Sequence, residues 1–172
     1  GGLKDSLQAG LESEAKNLLG GDVEVRLSHK PISEQQLSYL KSNSQNISQI
    51  IKMRTMTRSK NSSNNRILTE LKAIDHAYPL TGKMVLKPDK DINISLAKLN
   101  GIWGSVIEKS LLLKLNAKLG DLMVVGSTLF QIRAVIISEP DHLATGLNFG
   151  PSTIISSNAL EGTGLIQPGS QV

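Results

Sequence analysis

The chain contains no cysteine, few aromatic residues and no long apolar run. Without cysteine there are no disulfide bridges, no thiolate catalysis and no cysteine-ligated zinc, although this absence does not identify a cellular compartment. Aromatic residues make up 3% of the chain, which is too few for a broad stacking surface. No stretch approaches the roughly 18 apolar residues of a membrane-spanning helix, and no secretion signal opens the chain.

The residues that are present suit a small folded protein. A length of 172 residues, of which 39% are hydrophobic, fits one domain or two small subdomains with a core of leucine, isoleucine and valine. The formal net charge is +4, and the sequence pI is about 9.4. The composition therefore predicts a mildly basic, mixed α/β protein, without naming a function.

The positive charge is concentrated in one region of the sequence. Its members are Lys52, Arg54, Arg58, Lys60, Arg66 and Lys72. Phosphate contacts of nucleic acids need such clusters, but single-strand binding also needs interleaved aromatics, and none occur here. We therefore expect a solvated hairpin and no nucleic-acid partner. Attraction to anionic lipid headgroups is an intermediate alternative.

Periodicity predicts the elements of the first half. Leucines at helical spacing indicate a helix over residues 3–19, which Gly20 and Gly21 end. Alternation over residues 23–27 predicts a strand, and Ser33 with Gln36 forms a capping box that starts a helix running to about residue 41.

Two long strands follow, over residues 47–58 and 66–74, around a polar tip, and they predict a hairpin. The chain should then change direction at Tyr78-Pro79, because a residue before proline is restricted to extended geometry. We place a subdomain boundary there.

The second half holds a helix and a second hairpin. We expect short strands over residues 81–86 and 102–107, an irregular segment over 89–99, and then a leucine-rich helix that ends at Gly120-Asp121. Two strands over residues 122–125 and 128–138 enclose Gly126-Ser127, a pair that suits a two-residue turn.

The second strand of this hairpin carries an alternating apolar pattern. Phe130, Ile132, Ala134 and Ile136 are expected to share one face. A loop, a short strand over residues 153–155 and a helical turn capped by Ser156 complete the pattern.

Few residues offer chemistry. His29, His76 and His142 have no metal-ligand spacing, and we expect no metal, cofactor or catalytic residue. Asp75-His76 and Asp141-His142 are formal base–carboxylate pairs, but adjacent residues of an extended segment point to opposite faces. Phosphate-loop and dinucleotide fingerprints are incomplete.

The order of these pieces resembles a known family. The unit over residues 106–141 consists of a helix, Leu-Gly-Asp, a strand, a turn and a strand that ends in Glu-Pro-Asp. Together with residues 20–26, 71–80 and 150–170, it resembles the extracytoplasmic, MacB-type periplasmic core domain of FtsX-like ABC transporter permeases. The resemblance is strongest to the branch of predicted permeases linked to lysophospholipase secretion.

This resemblance implies an α+β fold with two small mixed α/β subdomains, a strand-helix-hairpin lobe and an inserted β-rich lobe. Residues 1–20 would form a stalk helix that follows a membrane span. Residues 21–76 and 150–172 would form the membrane-proximal subdomain, and residues 77–149 the inserted one.

The resemblance also implies a function. The permease would lie in the bacterial inner membrane with this domain on the periplasmic side, as a homodimer with a separate ABC ATPase subunit. It would couple ATP hydrolysis to export or to movement of a periplasmic partner, and would not itself be an enzyme. Two alternatives remain: a free-standing ligand-binding module with a cleft, and a hydrolase using Asp141 and His142.

Overall fold

The protein is described here by a computed structural model, which covers residues 22–27, 34–35, 46–79, 82–140 and 150–165. Most of these residues lie in β-strands, and the helices are short, which confirms the α+β fold class. The strands are β1 (Asp22–Leu27), β2 (Asn46–Ser59), β3 (Arg66–Ile74), β4 (Val85–Lys87), β5 (Lys98–Leu99), β6 (Ile102–Glu108), β7 (Leu122–Val125), β8 (Thr128–Ser138) and β9 (Ser152–Ser156). The helices are α1 (Ile92–Leu96), α2 (Lys109–Lys114) and α3 (Ser157–Leu160), and a 3-10 turn, Glu161–Thr163, follows α3.

Six strands close into a ring. Going round it, β8 pairs with β7, β7 with β2, β2 with β3, β3 with β9, β9 with β6, and β6 again with β8. The β6–β8 and β3–β9 pairs are parallel and the others are antiparallel. Closure gives each of these strands a neighbour on both sides and so protects backbone groups that an open edge would expose.

The expectation of two separate lobes is not confirmed. Strands from residues 21–76, 77–149 and 150–172 share one sheet, because β2 pairs with β7 and β6 pairs with β9. The physical reason is that the strands of neither predicted subdomain can close a ring without strands of the other. The boundaries of the predicted subdomains remain a prediction, and the stalk helix over residues 1–20 lies outside the described residues.

The interior of the ring is the main core. Each ring strand contributes to one apolar cluster, which α2 and α3 cover. Its strand members are Ile51, Leu71, Ala73, Ile107, Met123, Val125, Phe130, Ile132 and Ile155, and its helix members are Leu111, Leu115, Ala159 and Leu160. Alternate residues of the same strands form a second cluster outside the ring, under α1. That cluster includes Ile50, Ile74, Val106, Ala134, Ile136 and Ile154.

The predicted single face of β8 is wrong. Phe130 and Ile132 belong to the inner cluster, whereas Ala134 and Ile136 belong to the outer one. The cause is a bulge: Ser105 pairs with Ile132 but the next residue of β6 pairs with Ala134, so β8 holds one extra residue. An extra residue in a strand reverses the faces of everything that follows it.

The extra residue is Arg133, and it ties α1 to the ring. Its guanidinium donates to the carbonyl oxygens of Ser95, Ala97 and Ile102, the last at 3.0 Å. Burial lowers the pKa of this guanidinium, yet these carbonyl oxygens hold its charge. Gly104 leaves room for the arrangement, because a Cβ there would lie 1.9 Å from the Ser95 oxygen.

Other local predictions are partly confirmed, and the predicted leucine-rich helix ends at Lys114 instead of at Gly120. The hairpin of β2 and β3 is confirmed, as is the turn at Gly126, where φ is 60°. The segment predicted to be irregular instead contains α1, whose first turn Asp91 caps by accepting from the Asn93 amide at 2.8 Å. Five residues are too few for a helical pattern to be visible in sequence.

Replacement of Phe130 by alanine tests the closed core. The phenyl group of Phe130 is fully buried, so its removal should leave a cavity and lower the free energy of unfolding by about 3–5 kcal/mol in urea titrations. Leu113 on α2 is 68% exposed and provides the control, since its replacement by alanine should cost less than about 0.5 kcal/mol. Equal costs would contradict the closed arrangement.

Candidate functional site

The carboxylate of Asp75 is a structural group. It accepts hydrogen bonds from the Ser48 hydroxyl at 3.0 Å, the Gln49 amide at 2.7 Å, and the Ala77 and Tyr78 amides at 3.1 and 3.2 Å. These bonds join the start of β2 to the turn after β3. Its donors among the described residues are three backbone amides and one hydroxyl. The carboxylate therefore stabilises a turn and does not orient a catalytic base.

The neighbouring His76 is exposed, and only its carbonyl is engaged, by the Asn93 side-chain amide at 3.1 Å. Thus, in the described region, the structure does not bring His76 and Asp75 together as a dyad. His29, Asp141 and His142 lie outside the described residues. Within the described ranges, no group of three or more histidine and acidic side chains is placed to hold a metal ion.

A buried ion pair links two distant parts of the chain. The Lys72 ammonium on β3 lies 2.8 Å from the Glu139 carboxylate and donates to the Ser152 hydroxyl at 3.1 Å. The lysine side chain is 3% exposed and the glutamate side chain 14%. Sequence analysis assigned Lys72 to the solvated basic region, which is wrong, because its position opposite β9 could not be read from local spacing.

The tip of the first hairpin carries an open cleft of about 410 Å³, which we call the basic cleft. Its lining residues come from β2, β3 and the end of β7. They are Thr55, Met56, Thr57, Arg58, Arg66, Val124 and Gly126. The side-chain amide of Asn65 anchors the hairpin tip by donating to the Lys114 carbonyl oxygen at 2.6 Å.

Register places charge and apolar surface side by side at this cleft. Arg58 lies directly opposite Arg66, and Met56 directly opposite Leu68. Met56 and Leu68 are 47% and 44% exposed. Val124 adjoins Arg58 on the other side. The cleft therefore offers two guanidinium groups next to exposed apolar side chains.

In the ranges that the structure covers, no helix is long and apolar enough to cross a membrane. Over its whole length, however, the chain is similar to an ABC transporter permease. The relative is the uncharacterized ABC transporter permease YbbP of Escherichia coli strain K12, which is 26% identical over 173 residues. That alignment covers 100% of this chain and 20% of the relative, and it confirms the predicted resemblance to a permease.

Among solved structures, two of the partial likenesses are to domains of transporters. The extracellular domain of the noncanonic ABC-type transporter YknZ from Gram-positive bacteria has a TM-score of 0.46 and 14% identity, over 65% of this chain and 54% of that one. The periplasmic region of MacB from Actinobacillus actinomycetemcomitans has a TM-score of 0.40 and 16% identity, over 66% and 59%. No family model matches the chain.

Substitutions at Asp75 and His76 should separate structure from chemistry. Asp75→Ala removes an acceptor shared by four donors and should lower the free energy of unfolding by about 2 kcal/mol or more. His76→Ala should change it by less than about 0.5 kcal/mol, because the side chain is exposed. Any activity of the protein should also stay within a few-fold of its value before the substitution, and a loss of about a hundredfold with intact folding would reveal a catalytic role.

The Lys72–Glu139 ion pair should behave differently from the neighbouring Lys52–Glu70 pair, whose lysine is less buried. Lys72→Met leaves the Glu139 carboxylate without its cation and should cost about 3 kcal/mol of unfolding free energy. Adding Glu139→Gln should restore part of the loss. The control is Lys52→Met, because the Lys52–Glu70 pair spans 3.4 Å, its lysine side chain is 24% exposed, and the pair should contribute less than about 1 kcal/mol. Similar costs for both lysines would show that the pair is not effectively buried.

Proposed function

We propose that this chain is the periplasmic domain of the permease subunit of an ABC transporter. The similarity to YbbP over the entire chain carries the proposal. The chain spans about a fifth of that relative's length, so the membrane-spanning part of the permease would lie in the remainder. The permease would sit in the bacterial inner membrane, with this domain on its periplasmic side.

In this proposal the domain couples cytoplasmic ATP hydrolysis to export or to movement of a periplasmic partner. ATP would bind a separate ABC ATPase subunit, and two permease copies would form a homodimer. The closed sheet supports a mechanical role, since a ring with a packed interior moves as one body and can transmit a displacement. The domain would thus contribute shape and surface rather than chemical groups.

The absence of cysteine from this chain makes the topology easy to test. In the complete permease, Leu113→Cys places a thiol at an exposed position, and Val106→Cys places one in the core as a control. A membrane-impermeant maleimide should label the first variant in intact spheroplasts and leave the second unlabelled. Labelling of Leu113→Cys only after lysis would contradict a periplasmic location.

Coupling requires a second measurement. Spin labels at Leu113→Cys in both copies of the permease, reconstituted with its ATPase in nanodiscs, should change their separation when ATP binds. An ATPase variant that cannot bind ATP provides the control. A distance between the two labels that does not change when ATP binds would contradict coupling through this domain. It would not contradict the periplasmic location.

A further inference from the structure

The two arginines of the basic cleft face each other at a cost. Arg58 and Arg66 are directly opposite in the antiparallel β2–β3 pair, and like charges in that position destabilise a sheet. Within the described ranges, the Lys52–Glu70 and Lys72–Glu139 ion pairs involve neither of these two arginines, and no described carboxylate pairs with them. Proteins commonly retain such unfavourable arrangements where binding requires them.

The cleft also orients its donors. One terminal nitrogen of Arg58 donates to the carbonyl oxygens of Ser59 and Lys60, at 3.2 and 3.4 Å, which fixes the guanidinium plane. A guanidinium has five N–H donors and no acceptor, so most donors of this group face outward from those bonds. Arg66 is exposed across from it. Two such groups match the oxygens of a carboxylate or a phosphate.

An anion held there would adjoin apolar surface. Met56 and Leu68 form the next cross-strand pair on the same face, two positions along from the arginines, and Val124 lies beside Arg58. Met56 and Leu68 are nearly half exposed, at 47% and 44%. A purely polar anion would leave this strip uncovered, whereas an apolar chain would cover it.

We propose that the basic cleft binds a single dissolved amphipathic anion, which is a carboxylate or phosphate attached to an apolar chain. Arg58 and Arg66 hold the anion, Met56 in the cleft contacts the apolar chain, and Leu68 extends that contact beside the cleft. The volume of about 410 Å³ suits one small molecule rather than a membrane surface. The proposal is independent of the transporter assignment, because it concerns only the surface of this chain.

Calorimetric titration of the 172-residue chain with decanoate below its micelle concentration tests the proposal. Decanoate should bind, while inorganic phosphate and uncharged decanol should bind at least about tenfold more weakly, since each offers only half of the contacts. Arg58→Gln combined with Arg66→Gln should weaken decanoate binding by about tenfold or more. Lys87→Gln combined with Lys90→Gln removes the same charge elsewhere and should leave the affinity unchanged.

Thermal unfolding separates lost binding from lost folding. The double arginine variant should melt no lower than the unmodified protein, because the substitution removes a repulsion. If it fails to fold, Arg66→Gln alone serves, since that side chain is exposed and should still weaken binding several-fold. Decanoate affinity unchanged by these substitutions, no decanoate binding, or binding only to anionic vesicles would each overturn the proposal.

Discussion

Closure of six strands of the sheet into a ring is the constraint on which the rest of the structure depends. The parallel pairing of β6 with β8 completes the ring, and it brings together residues from both sides of α2. Once closed, the ring has a single inner face, and every ring strand must direct apolar side chains to it. The second cluster, under α1, then forms from the alternate residues of the same strands.

The ring strands also need an internal adjustment, which Arg133 supplies. The bulge at this residue lets β8 direct side chains inward at Phe130 and outward at Ala134, where α1 covers them. Its guanidinium satisfies carbonyl oxygens at the end of α1, and Gly104 provides the space. A Cβ atom at residue 104 would therefore disturb α1, the bulge in β8 and the ring of strands together.

Several polar groups of the described residues stabilise the fold itself. The carboxylate of Asp75, one of the formal catalytic candidates, accepts hydrogen bonds that order a turn, and the buried Lys72–Glu139 pair joins β3 to the residue that follows β8. The basic cleft is different, because Arg66 is exposed, Arg58 is half-buried, and both arginines adjoin apolar surface. Under the two proposals together, the domain would contact an amphipathic molecule while it transmits motion.

The sequence by itself determined the local elements: the β2–β3 hairpin, the turn at Gly126 and the cap at Ser156 all follow from alternation and turn chemistry over a few residues. Only the tertiary structure decided which strands close the ring, which face β8 presents after Arg133, and which carboxylate meets Lys72 across 67 residues. The physical reason is the distance along the chain over which each effect acts. Backbone preference and hydrophobic period act between near neighbours, whereas register between distant strands is selected only when the whole core packs.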